Sequence, residues 1–153
     1  MNSARQRPCF RLVSLGITCA LLLACAQVLA AKTHRVGAVK VARLNREFKL
    51  KVGERVMLKG TQLRLKFMAV ANDSRCPSDV TCVWAGNAAV SLHLSTRTGS
   101  LTVTRNTSTS PPFVTDSEYR GFRVKLVDLS PYPLSKRKIA AGDYAATLLV
   151  SKE

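Results

Sequence analysis

Histidine is almost missing from this chain: His34 and His93 are the only two in 153 residues. His34 stands in a basic segment near the N-terminus, and His93 lies on the polar phase of an alternating segment, where a solvent-facing side chain is the ordinary case. With Cys76 and Cys82 expected to be committed to a disulfide, a closed zinc site therefore has too few soft ligands. Met57 and Met68 could join His93 around a copper ion, but the two methionines read better as core filling. Triad catalysis would have to rest on His93 as its base, and no Gly-x-Ser-x-Gly or comparable nucleophile turn is present.

Acidic residues are also scarce, nine against 24 lysines and arginines. Glycosidase chemistry needs two carboxylates facing one cleft, whereas these acids are dispersed. Asp116 and Glu118 share a strand face at i, i+2, but they read as solubilising loop acids. Phosphate-binding glycine loops are absent. Aromatics make up only 6% of the chain, so most are needed for a core and too few remain to interleave with basic residues against nucleic acid. These absences point to no catalytic residue, no metal ligand and no cofactor, with an enzyme of unrecognised kind as the residual alternative.

What the chain does have begins with a leader. Arg5, Arg7 and Arg11 precede a nearly unbroken apolar run from Leu12 to Ala31, and no acid occurs before Glu47. That order of charge and hydrophobicity is that of a secretory signal peptide. Val28 and Ala30 suit cleavage after Ala30, which divides the chain into a signal peptide, 1–30, and a single domain, 31–153. In the alternative, Leu22-Leu23-Ala24-Cys25 acts as a lipobox and Cys25 carries a lipid. The first is favoured because Leu23 is bulky for a lipobox and the stretch after Cys25 stays apolar. Retention as an N-terminal anchor is the third course, since the run is just long enough to span a bilayer. The expected location is the periplasm or the exterior, or the envelope surface if Cys25 is lipidated. Membrane contact is expected only through the leader or that lipid.

Cysteine usage agrees with export. Cys9, Cys19 and Cys25 fall in the leader, so cleavage leaves Cys76 and Cys82 as one even pair, expected to form a disulfide in an oxidising compartment. Closing a seven-residue loop is worth about 2 kcal/mol on the chain-entropy model. The net charge of +15 falls to +12 when the three leader arginines leave. A field of that size favours polyanions such as lipopolysaccharide, anionic lipid or acidic polysaccharide. The basic residues are nevertheless scattered, and only Lys136-Arg137-Lys138 forms a run.

Beyond the leader the dominant signal is period-two alternation, which places apolar side chains on one face of a strand. It marks strands at 48–52, 54–59, 63–67, 90–94, 101–104, 122–126 and 144–150, separated by Gly-containing turns. About seven short antiparallel strands imply an all-β sandwich, with a small barrel as the alternative. The stretches 106–119 and 130–141 read as long irregular loops.

One segment reads as a signature: Asp73-Ser74-Arg75-Cys76-Pro77, then Cys82-Val83-Trp84-Ala85-Gly86. The disulfide pins an excursion between two strands, Asp73 can hold backbone N–H groups or Arg75, and Gly86 permits a positive φ. Trp84 follows Cys82 by two residues, so in an extended strand it would cover the disulfide and be buried, with Arg75 at least partly exposed. Cys-x5-Cys lacks the spacing of a thioredoxin-like redox pair. The segment resembles a group of small exported bacterial proteins, many of them proposed lipoproteins, without an established activity; the resemblance implies export and β architecture. The expected role is a non-enzymatic binding module of the bacterial envelope, with Asp73, Arg75 and Trp84 as the candidate recognition surface. The alternative is charge-driven association with an anionic envelope component.

Overall fold

The computed structural model describes residues 39–153. The leader, its cleavage after Ala30, Cys25 and His34 lie outside the described residues. Nine strands follow in order: β1 (Lys40–Ala42), β2 (Phe48–Lys51), β3 (Arg55–Leu58), β4 (Arg64–Asp73), β5 (Ala88–Thr96), β6 (Gly99–Asn106), β7 (Asp116–Tyr119), β8 (Phe122–Ser130) and β9 (Ala145–Lys152). They form one sheet in the order β1-β3-β4-β5-β6 and a second in the order β2-β9-β8-β7. Neither sheet closes on itself, so the architecture is a β-sandwich and not a barrel. Among the described residues no helix is long and apolar enough to cross a membrane.

The alternation read from the sequence becomes the inner faces of the two sheets. Leu65 and Phe67 of β4, and Val90, Leu92 and Leu94 of β5, are buried on one side. Val124, Leu126 and Leu129 of β8, and Ala146, Leu148 and Val150 of β9, are buried on the other. All belong to one apolar cluster, the expected consequence of pressing two half-apolar sheets together.

The two long strands do not keep strict alternation. The β4–β5 register shifts between Phe67 and Ala69 and again between Val70 and Asn72. Each shift leaves two successive residues facing outward, as a β-bulge does. The first turns Met68 and Ala69 out while Val70 still pairs with Val90; the second lets Asp73 pair with the buried Ala88. A similar shift at Leu126/Asp128 keeps Leu129 in the core.

All seven expected strands are present, and two more correct the count. β1 pairs with β3 in parallel, Lys40 opposite Val56; this is possible because the intervening β2 lies in the other sheet. Three residues are too few to show a period. The stretch read as a loop at 106–119 ends in β7, which pairs with β8 through a two-residue turn. Arg120 and Gly121 at that turn have φ of 51° and 76°, the backbone of a type I′ hairpin. β7 is an edge strand whose polar composition, Asp-Ser-Glu-Tyr, hides it from a hydrophobic pattern.

Candidate functional site

The signature segment leaves β4 at Asp73 and re-enters the same sheet at Ala88, at one end of the sandwich. Its base is closed by backbone hydrogen bonds from Ser74 N–H to the Asn87 carbonyl, 2.8 Å, and from Cys76 N–H to the Ala85 carbonyl, 2.9 Å. Cys76 and Cys82 are disulfide-bonded across a Cα–Cα distance of 5.9 Å. Gly86 is obligatory here: its φ is +72°, and a Cβ would lie 1.9 Å from the Ser74 carbonyl oxygen.

The second bulge of β4 turns the Asp73 carboxylate toward the space between the sheets, where Arg75 meets it. Arg75 Nε donates to Asp73 Oδ1 at 2.8 Å and Nη2 to Oδ2 at 2.7 Å. The same guanidinium donates through Nη1 to the Leu129 carbonyl of β8, and through Nη2 to the Pro131 carbonyl at 2.9 Å. Tyr144 Oη adds a hydrogen bond to Asp73 Oδ2, 3.1 Å. Arg75 also stacks over the Tyr132 ring, 4.9 Å from its centroid. The pair thus pins the end of one sheet to the other, with side-chain exposures of 3% for Arg75 and 9% for Asp73. Burial pushes the Asp73 carboxyl up, but the hydrogen bonds and charge of Arg75 together outweigh it and hold the group below its ordinary value. Burial and the neighbouring Asp73 charge push the Tyr144 phenol up.

A second set of bonds docks the clipped loop onto the segment after β8. Ser78 N–H donates to the Pro133 carbonyl at 3.0 Å. Asp79 accepts from the Ser135 N–H at 2.8 Å and from its hydroxyl at 2.6 Å. Those two donors hold the Asp79 carboxyl below its ordinary value. The stretch expected to be an irregular loop, 130–141, is therefore the bed on which the signature loop lies.

Two expectations about the signature are corrected. Arg75 is buried and not partly exposed, because the bulge brings Asp73 inward and the arginine follows its partner. Trp84 is 81% exposed and Val83 95%, so the indole does not cover the disulfide. The chain bends at Val83 and Trp84 instead of running as a strand, and without an extended backbone the i, i+2 relation to Cys82 does not put both side chains on one face. Of the candidate recognition residues, Asp73 and Arg75 hold the loop in place and only Trp84 is presented to solvent. Val80, on the same loop, is also exposed, which no sequence period signals.

The remaining candidates are placed as follows. Asp116 and Glu118 do lie on one strand, but both engage Arg123, at 3.0 and 2.9 Å, together with Glu153. That cluster braces an edge strand. Met57 and Met68 are not core filling, since both point outward from their sheet and Met68 is 41% exposed. His93 also faces outward, 3.1 Å through Nδ1 from the Thr102 hydroxyl. Among the described residues no three His, Cys, Asp or Glu side chains stand together as a metal site. No protein-family model, curated protein or solved structure matches the chain.

Proposed function

We propose that the protein is a non-enzymatic binding module of the bacterial envelope whose contact surface is the tip of the clipped loop, formed by Val80, Val83 and Trp84. The observation that carries this reading is a tryptophan 81% exposed on a loop held by a disulfide, a buried ion pair and a glycine that admits no side chain. An isolated apolar side chain at a surface needs no explanation. Here three stand on one short loop whose conformation is fixed before any partner arrives. Such preorganisation lowers the entropy lost on binding, and tryptophan is the residue type most often central to an interface. The fitting partner is an envelope protein with an apolar recess. The disulfide is compatible with an oxidising compartment, and the leader and the resemblance of the signature to exported bacterial proteins support export.

The test is a pull-down from envelope extract with the wild-type chain and Trp84→Ala, at low and high salt. A partner that survives high salt and is lost from Trp84→Ala supports the reading. A partner lost equally from both chains as salt rises overturns it in favour of the charge-driven alternative, because exposed charges are screened within about 10 Å at 0.1 M salt. Retention by Trp84→Ala at high salt overturns it too.

A further inference from the structure

The outer face of the five-stranded sheet carries a second feature, remote in sequence from the signature loop. Strand alternation turns Arg55 and Met57 of β3 outward, together with Arg64, Lys66 and Met68 of β4. The register sets Arg55 directly opposite Lys66, and Met57 opposite Arg64. With Val39 these side chains line a half-open groove of about 670 Å³, within the usual range of ligand sites. His93, across from Lys66 on β5, closes its far side. A smaller hollow shares the Met57 and Arg64 wall and adds Arg97.

The charge of this groove is one-sided. No Asp or Glu lines it, and among the described residues Arg55, Arg64 and Lys66 enter no ion pair. Like charges placed directly opposite on paired strands destabilise a sheet, so the arrangement carries a cost that an anion would relieve. Six of the nine acids are engaged elsewhere, three of them on Arg123. Methionine and imidazole are also copper ligands, but three neighbouring cations repel a metal ion. The same methionines, unbranched and polarisable, adapt readily to an alkyl chain. Met68 lies on this face by the same alternation as Arg64 and Lys66, at the start of the first bulge of β4.

We propose that this groove binds a single-chain amphiphile with a phosphomonoester head, as an envelope lipid would supply, with Arg55, Arg64 and Lys66 around the phosphate and Met57, Met68 and Val39 along the chain. A phosphomonoester carries a charge of about −1.5 to −2 near neutral pH, which suits three converging cations better than a monoanion does. This inference is independent of the loop-tip reading, because none of its residues belongs to the signature segment.

The experiment is calorimetric titration of the protein as processed and purified from the envelope, using dodecyl phosphate below its micelle concentration. Dodecyl maltoside and inorganic phosphate serve as the two partial ligands. One dodecyl phosphate per chain is expected, bound at least about tenfold more tightly than either partial ligand. Arg64→Gln combined with Lys66→Gln should weaken it about tenfold, and so should Met68→Ser, while Trp84→Ala leaves it unchanged. Because the substituted side chains face outward, circular dichroism should show every variant folded. Equal affinity for dodecyl maltoside or for inorganic phosphate would overturn the proposal, as would absent binding or an affinity unchanged in the groove variants. Loss of dodecyl phosphate from Trp84→Ala would place the ligand on the loop tip instead.

Discussion

Replacing Arg75 with Ala should be among the most damaging single changes in this protein. The substitution removes a two-point contact with Asp73 and the donors to the Leu129 and Pro131 carbonyls. It leaves a carboxylate that is 9% exposed with only the Tyr144 hydroxyl and one backbone N–H as donors. Breaking a buried pair by removing one partner typically costs about 3–5 kcal/mol, a large share of the roughly 5–15 kcal/mol that holds an ordinary domain folded. At about 3–6 °C of melting temperature per kcal/mol for a domain of this size, Tm should fall on the order of 10–30 °C at neutral pH.

The pH dependence separates this cause from a mere loss of packing. In the wild type burial raises the Asp73 carboxyl and Arg75 more than offsets it, so the folded pKa is depressed. The stability it contributes is present above the unfolded pKa of about 3.9 and is lost as pH falls through the folded value. In Arg75→Ala the burial remains while its main counterweight is gone, so the folded pKa should rise above the unfolded one. Acidification then favours the folded variant, and the gap to wild type should narrow between pH 7 and pH 4. Adding Asp73→Asn to Arg75→Ala should recover part of the loss at pH 7, because it removes the stranded charge. Thermal melts of the three chains at both pH values provide the assay. A loss below about 1 kcal/mol, the level of an exposed ion pair, or a gap that does not change with pH, would refute the reasoning.

Three further outcomes are expected. Changing Cys76 and Cys82 together to Ser should cost about 2 kcal/mol, as expected for a seven-residue loop, with the β signal retained in circular dichroism; complete loss of that signal would mean the clip is essential to folding. Gly86→Ala should destabilise by more than about 1 kcal/mol, the usual cost of a strained backbone conformation, because the new Cβ also meets the Ser74 carbonyl, and denaturant unfolding would measure it. Intact mass and N-terminal sequencing of the exported protein should find Ala31 first and no lipid, whereas a lipidated Cys25 would move the protein to a membrane surface.

Much of the architecture is legible in the sequence for a simple reason. A strand has a side-chain period of two, and a half-buried sheet must be apolar on one side only. Phe48-Lys-Leu-Lys, Leu63-Arg-Leu-Lys-Phe and Phe122-Arg-Val-Lys-Leu therefore announce strands and their inner faces without reference to partners. The disulfide is equally legible, because cleavage after Ala30 would leave two cysteines with one intramolecular pairing. The edge strands β1 and β7 are not legible. One is too short to show a period, and the other is held by pairing with β8 and by Arg123 reaching its carboxylates.

The site itself was decided in three dimensions. Sequence proximity joins Asp73 to Arg75 but does not say which way the pair faces. Each bulge in β4 shifts the phase by one residue, the first away from the face of Leu65 and Phe67 and the second back to it at Asp73. Where a bulge falls depends on the register against β5, a property of two strands at once. The carbonyls of Leu129 and Pro131, more than fifty residues away, then give the guanidinium its remaining partners. Trp84 reverses its expected position for a related reason: alternation holds only where a neighbouring strand keeps the backbone extended, and the clipped loop has none at Val83 and Trp84. The outward gathering of Arg55, Arg64, Lys66, Met57 and Met68 likewise exists only once β3 and β4 are paired. Local periodicity thus names the strands and their buried sides, while pairing between distant segments determines which polar and aromatic groups are locked inside and which are presented to a partner.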